Sequence, residues 1–584
     1  MPGPPPETIR AEYLGPYGVR EPRMTLSSTI PAPARPRRTV TVLLWAAFLL
    51  AAFAYRLGFG LCSEFFFEDE TQIFLIGLRY HATGAWPYFG ADVVWTHSQI
   101  PGALQGLLVG MPMNLVPVPE APFVLLNLLS LASLVLLAWY ICRRLPALPR
   151  WLVWGWLLFI PWTLCYGTHV LNPDYVLCGA IVFFVGFFEA VPRFSLRIVP
   201  VTAAFFMMGA AVFWIVQLHM SWPLLGPFVL VASWSQMGLG RRRLGLATLG
   251  FVAGSALTGS LLAPTFWNYG LLAGLGGTHR NLSIHVESPF TLFSTLARLF
   301  SFASLEITRF LGLDTARRLQ FLLAHAWLIP FAAVAWIAGI LQPAWMAWSW
   351  FRRRSPHAEW RALKWLVVVS VLLIYLSYWF VMEPPQAHAF YLLAPVAFVY
   401  SFYCWSFIDS RRWRRVAAVV LGTSILYHAG MIVGRAPERS LYKNREVAAA
   451  AVYNRVPDLL GHRRLFAIEG APSPDVIATG SGLSADVRLV NTAWTRGPGG
   501  MVLWTMTLRN ESRTYAYRDV YYDARYRNDA GRLVGEHADL FAEILQPGQS
   551  ITLTGVNHGF IDPFRTAEIR LLRAERLLPL CAAK

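Results

Sequence analysis

Long apolar runs, most of them closed by arginines, alternate with short polar turns over the first 435 residues. A helix rising 1.5 Å per residue needs about 20 apolar residues to cross the hydrocarbon core of a bilayer. The pattern predicts an α-helical polytopic membrane protein with eleven transmembrane helices. They fall at residues 40–61, 123–141, 151–166, 175–191, 198–216, 222–237, 244–262, 321–350, 365–382, 389–408 and 416–433. One further run, Ile100 to Leu115, is apolar but short, and Pro101, Gly102, Gly106, Gly110 and Pro112 interrupt it. Charge decides its place, because cytoplasmic loops collect Lys and Arg. If the run lies along the membrane surface, Arg143-Arg144, Arg193, Arg197, Arg241–Arg243, Arg352–Arg354 and Arg411-Arg412 all fall on one side. If it crosses, several of those clusters land outside. The surface placement is therefore predicted, with the N-terminus in the cytoplasm and the C-terminus outside.

Residues 1–38 are rich in Pro and Arg and read as a disordered cytoplasmic tail. The tail is too long, and too poor in a cleavage site, for a cleaved signal peptide. Two large outer loops follow from the parity, at 62–120 and 265–320. In the first, Ile73, Phe74, Ile76, Gly77 and Tyr80 recur at helical spacing and predict a helix on the membrane surface. Beyond residue 434 the chain turns soluble. Residues 435–482 read as a connector holding a helix at 445–460. Residues 483–584 read as a small Ig-like β-sandwich, with strands at 487–494, 501–508, 515–526, 550–553 and 567–572.

Composition supports this layout. The chain is 55% hydrophobic and 14% charged, against roughly 25% charged in soluble domains. A net charge of +17 raises the question of nucleic acid. The arginines sit in short loops between spans, so the positive-inside bias explains them and no nucleic-acid partner is predicted. The six cysteines form no CxxC pair and no disulfide framework.

The same parity gathers chemistry on one face. Asp69-Glu70, Asp92, His97, His169, Asp174, His219, His279, His285 and His388 all fall in outer turns. Ionisable groups beside a bilayer are costly, so a shared site is the reading they support. Several have structural alternatives. Asp69 and Glu70 favour the N-terminus of a following helix, and Asp174 after Pro173 suits a helix start. Arg56 near the outer end of the first span either snorkels or meets an anionic ligand. His219 beside Gln217 is a hydrogen-bonded turn residue or a ligand. His388 and Tyr391 are interfacial aromatics or ligand contacts.

An acidic pair in the first outer loop, an amphipathic helix, a Gly-aromatic turn and a Pro-started helix resemble the GT-C membrane glycosyltransferases. The protein O-mannosyltransferases and lipid A aminoarabinose transferases are the nearer groups. The matching residues are Asp69-Glu70, Thr83-Gly84-Ala85-Trp86-Pro87, His97-Ser98-Gln99-Ile100-Pro101, Asn172-Pro173-Asp174, Gln217-Leu218-His219 and His388 to Pro395, spread over roughly residues 40 to 430. The resemblance implies a GT-C-like domain at 39–434. It also implies inversion at the sugar's anomeric carbon, and a polyprenyl-phosphate-linked sugar as donor. The acceptor would be an envelope glycan, lipid or protein on the periplasmic face of a bacterial inner membrane.

The chemistry then needs a carboxylate to take the acceptor's proton. Asp69 is the implied base, with Glu70 orienting it. The leaving lipid phosphate needs cations or a metal. The aminoarabinose transferases carry a lysine just before the Pro-started helix. This chain has Trp95-Thr96-His97-Ser98-Gln99 there. Arg56, His97 and Arg280 are the candidate replacements, with Asp174, His219, His388 and Tyr391 as further substrate contacts. A divalent metal on Glu70 and His219 is the other candidate. The rival reading is a transporter or flippase of lipid-linked glycans. Against it, the sequence shows no paired halves with broken helices.

Overall fold

The computed structural model describes residues 38–63, 73–74, 76–78, 80–81, 84–93, 98–116, 118–271, 284, 286–303, 305–312, 315–353, 359–380, 391–436, 476–482, 486–496, 501–513, 516–541, 544–558, 561 and 563–579. The chain divides into two units, Met1–Leu50 and Ala51–Lys584. The tail at 1–37 and the helix foreseen at 445–460 lie outside the described residues.

Helix α1 is Arg38–Ser63. A hairpin of β1 (Phe89–Val93) and β2 (Ser98–Pro101) follows. Then come α2 (Leu104–Leu115), α3 (Ala121–Arg144), α4 (Arg150–Phe159), α5 (Pro161–Cys165), α6 (Asn172–Ala190) and α7 (Val201–Val216). The series continues with α8 (Gly226–Met237), α9 (Arg241–Gly259), α10 (Ala263–Tyr269), α11 (Pro289–Phe300) and α12 (Thr315–Ala324). It closes with α13 (Ile329–Arg352), α14 (Trp360–Ser377), α15 (Ala394–Ser406) and α16 (Arg411–Arg435).

Each of the eleven expected spans coincides with a helix or helix pair. Seven stretches are long and apolar enough to cross a membrane: Val40–Ser63, Ala121–Arg144, Asn172–Ala190, Arg241–Tyr269, Ala326–Arg352, Trp360–Phe380 and Arg411–Arg435. The others are shorter or broken. The third expected span is two helices, α4 and α5, because Pro161 cannot continue the helix before it. The eighth expected span opens earlier than its helix, since α12 is a separate element and α13 starts only at Ile329.

Helix α2 is about 18 Å long at 1.5 Å per residue. Its glycines let it lie against the first outer loop. A side chain at Gly110 would meet the carbonyl of Gly77 at 2.4 Å, and one at Gly106 would meet Pro87 at 2.6 Å. The described residues between Ile73 and His81 are helical, as their spacing predicts.

Glycine also sets the closest helix pair. On α9, Gly250 faces the Thr202 carbonyl and Gly254 the Phe206 carbonyl, each with 2.1 Å to a would-be Cβ. Gly209 on α7 faces the Phe251 carbonyl at the same distance. Backbones this close exchange dispersion contacts directly and admit no side chain between them.

The C-terminal region is a β-sandwich of a four-stranded sheet, β3-β9-β6-β7, and a three-stranded sheet, β4-β5-β8. Strands β4 (Val487–Arg496), β5 (Val502–Asn510), β6 (Ala516–Arg527), β8 (Ser550–Asn557) and β9 (Thr566–Pro579) match the five foreseen. Two are additional. β3 (Val476–Gly482) falls before residue 483, and β7 (Leu533–Phe541) pairs with β6 across the Asn528–Gly531 turn. Both are edge strands, where polar residues such as Glu536 and Asp539 are tolerated and the alternation fades. Val502, Trp504 and Met506 of one sheet meet Tyr522, Ala524 and Tyr526 of the other to form the core.

Candidate functional site

Helix ends sort onto two faces of the bundle, and they sort as the arginine parity requires. At one face Arg144 ends α3. Its guanidinium donates to Tyr140 Oη at 2.7 Å and to the Phe194 carbonyl, and it pairs with Glu359 at 3.6 Å. Tyr140 donates to Glu189 at 2.8 Å, and Glu189 accepts from the amides of Leu196 and Ile198. Gln236 at the end of α8 donates to the Ala190 carbonyl, and Tyr403 donates to Glu359. These are the ends foreseen as cytoplasmic.

The opposite face gathers the foreseen outer turns. Gln105 at the start of α2 accepts from the Ala91 amide at 2.9 Å and donates to the Asn172 side chain. Thr265 donates to the Tyr88 carbonyl at 2.7 Å, and the Tyr269 ring lies edge-on to Tyr88 and Phe89. Gly102, at φ +110°, packs against Gln217, with 2.6 Å from a would-be Cβ to Oε1. A left-handed φ and this approach both require glycine. The hairpin thus brings the first outer loop onto the ends of α6, α7 and α10.

At the centre of this face is the turn between α5 and α6, residues 163–169. Arg56 is fully buried and donates to the carbonyls of Leu158 (3.0 Å), Thr163 (3.0 Å) and Gly167 (3.2 Å) and to Ser130 Oγ (2.9 Å). Asp174, also fully buried, accepts from the amides of Thr168 (3.1 Å) and His169 (2.9 Å). Its carboxylate therefore holds the preceding turn. Gly60 of α1 approaches the same turn, with 2.2 Å between a would-be Cβ and the Thr168 carbonyl.

His169 fills the middle of the turn. Ser63 Oγ gives its proton to the Phe59 carbonyl, so His169 Nε2, 2.9 Å away, is the donor to Ser63. The ring stacks on Phe310 at 3.8 Å between centroids. Burial, and secondarily the Arg309 guanidinium, hold its pKa well below the ordinary imidazole range. It stays neutral at physiological pH.

The segment at 305–311, from the second outer loop, straps over this turn. Arg309 donates to Tyr166 Oη at 2.6 Å and lies over its ring. Tyr427 and Arg435 of α16 donate to the carbonyls of Ile307 and Leu311. Tyr391, fully buried, packs its ring on Trp162 and Tyr166. Its hydroxyl has no hydrogen-bond partner among the described residues. Tyr391 and Asp174 both act electrostatically on Arg56.

Of the sequence-derived candidates, Arg56, Asp174 and Tyr391 therefore share one buried cluster. His219 stands in the turn after α7, its Nδ1 accepting from the Ser221 amide at 3.1 Å and lying 2.8 Å from Ser221 Oγ. Burial lowers its pKa to about 4. Asp69, Glu70, His97, Arg280 and His388 lie outside the described residues. Among the described residues no group of three or more His, Cys, Asp or Glu is placed to hold a metal ion. The metal ligand pair foreseen at Glu70 and His219 has one member undescribed, and the other has one ring nitrogen already engaged. Sequence reasoning missed Arg309 and Tyr166, which carry no motif and meet across 143 positions.

No protein-family model matches the chain, and neither does any curated protein. Among solved structures the chain is similar to ArnT from Cupriavidus metallidurans bound to undecaprenyl phosphate. That likeness has 13% identity and a TM-score of 0.44, and covers 72% of this chain and 80% of ArnT. The apo state of the same protein gives 13% identity and 0.45, covering 73% and 80%. Arabinosyltransferase EmbB from Mycobacterium smegmatis gives 13% and 0.34, covering 95% of this chain and 66% of EmbB. Likenesses of this size fix no chemistry; what the chain itself presents is a multi-pass helical membrane protein with a C-terminal β-sandwich.

Proposed function

We propose that this protein is an integral membrane glycosyltransferase. It takes a sugar from a polyprenyl-phosphate donor and places it on an envelope glycan, lipid or protein at the periplasmic face. The observation that carries the reading is the gathering of the β1–β2 hairpin, Asn172, Gln217 and Thr265 on one face, opposite the Arg144–Glu359 face. That face adjoins the loop of Asp69 and Glu70.

The reaction asks little covalent work of the protein. The acceptor's hydroxyl or amine attacks the anomeric carbon from the side away from the phosphate. The bond from that carbon to the phosphate oxygen breaks, its electron pair leaves with the lipid phosphate, and the centre inverts. The acceptor's proton passes to a carboxylate within hydrogen-bond reach, the role given to Asp69, with Glu70 orienting it. The leaving phosphate is already an anion at neutral pH and needs positive charge rather than a proton. Arg280 and His97 are assigned to it. Arg56 and Asp174 shape the floor of the site by holding the 163–169 turn, and His219 and His388 line its rim. Tyr391 points its unpartnered hydroxyl into the same cluster.

Mass spectrometry of envelope glycans in a strain lacking the gene tests this reading. A glycan, lipid or protein that loses one sugar in the deletion and regains it with the wild-type gene supports it. An unchanged set of products, with lipid-linked sugar failing to cross the membrane, supports a transporter instead.

A further inference from the structure

The second outer loop carries an apolar surface that the bundle does not bury. Helix α11 turns Thr295, Leu299 and Phe300 inward. Its first two turns present Phe290 at 81% and Phe293 at 66% exposure, and the strand before it presents Ile284 and Val286 at 73% each. Charge is withheld from this surface. Glu287 accepts from Thr291 Oγ1 at 3.1 Å, and Arg298 turns to Glu306 at 3.2 Å. Exposed aromatics free of charge on one side of a short helix suit the boundary between headgroups and acyl chains.

The level of the helix is fixed by its neighbours. Tyr375, in the last turn of α14, donates to the Glu287 carbonyl at 2.7 Å. Gly339 of α13 lies against Ser301, just past the end of α11. Helix α11 therefore sits beside the ends of two helices that read as spans. Its exposed phenylalanines continue their bare apolar faces, which include Ile337, Ile340, Leu372 and Phe380.

We propose that residues 284–300 form a monotopic element seated in the outer leaflet, with Phe290 and Phe293 in the lipid and the peptide axis in the interface. The occupant of this surface is the bilayer. The element is also tied to the candidate site, since Arg298 holds Glu306 at the start of the strap that carries Arg309 onto Tyr166. The inference rests on the membrane reading of the bundle and not on the sugar-transfer reaction, so the two fail separately.

The test uses the full chain in vesicles of phosphatidylglycerol and phosphatidylethanolamine. An environment-sensitive fluorophore is attached in turn to Phe290→Cys and Phe293→Cys, with labelled wild type subtracted as background. Lipids with nitroxide near the head of the acyl chain, or near its end, serve as quenchers. Blue-shifted emission at both positions, quenched more by the shallow nitroxide than by the deep one, is the expected result. Stronger quenching by the deep nitroxide would mean a buried or crossing segment and would overturn the proposal. Water-like emission with no quenching by either would overturn it too.

Discussion

Arg56 and Asp174 grip one turn from its two sides, the guanidinium on the carbonyls of Thr163 and Gly167 and the carboxylate on the amides of Thr168 and His169. The two charges meet through peptide dipoles, so the turn is part of the pair. Breaking one half of a buried charge pair leaves the other unpaired and costs about 3–5 kcal/mol. Arg56→Ala is expected to lower the thermal unfolding midpoint in detergent sharply and to cut the folded yield. Gly167→Ala should do so as well, since its Cβ would fall 2.8 Å from the Arg56 guanidinium. A midpoint unchanged in both variants would contradict this account of the turn.

Tyr391 offers a contrasting case. A buried hydroxyl without a partner costs about 1–3 kcal/mol to bury, so removing it should not destabilise the fold. Tyr391→Phe is expected to keep or raise the midpoint while lowering transfer from a lipid-linked donor. Loss of stability in that variant would show that the hydroxyl has a structural partner. Unchanged transfer would remove it from the site.

The seam between α7 and α9 makes a third prediction. Gly254→Leu places a side chain where the Phe206 carbonyl stands 2.1 Å from the would-be Cβ. Overpacking of this kind costs about 1–3 kcal/mol, and more where the backbone must part. Cross-linking between cysteines placed on α7 and α9 should fall in the variant, and heat should unfold it earlier. Retained cross-linking would contradict the backbone contact.

How much of this was legible in the residues depended on range. Apolar period and arginine placement carried the spans, because a bilayer imposes length and charge rules locally. The same rules placed Asp174 and Tyr391 on the outer side. What they could not reach was pairing across the chain. Arg56 reads as a charge near a span end, and only the fold shows its donors spent on the carbonyls of residues 158–167. Arg309 reads as one arginine in a long loop, with nothing nearby to mark Tyr166 as its partner. Edge strands β3 and β7 lack the alternation that a buried face would impose.

In the β-sandwich, His558 is 2% exposed and its Nδ1 accepts from the Tyr526 hydroxyl, which accepts in turn from Trp504 Nε1. His537 stacks on the ring at 4.2 Å. Burial, with His537 adding to it, lowers the pKa of His558 to about 3. The unfolded chain binds that proton near the ordinary value of about 6.5. The contribution to stability is therefore complete above about 6.5 and declines as pH falls toward 3, by about 1.4 kcal/mol per unit. Thermal unfolding of the full chain, followed by near-ultraviolet circular dichroism, should show the sandwich transition falling with acid. The fall should be shallower in His558→Phe; equal slopes would contradict the assignment.

The central claim is that Asp69 takes the acceptor's proton on the outer face. Purified protein in vesicles supplied with polyprenyl-phosphate-linked sugar and envelope extract as acceptor measures it directly. Wild type should release polyprenyl phosphate and form a sugar-bearing product. Asp69→Asn should bind the donor but lower the rate on the order of 10²–10⁴-fold, the usual share of a general base. Transfer by Asp69→Asn at the wild-type rate would contradict the account.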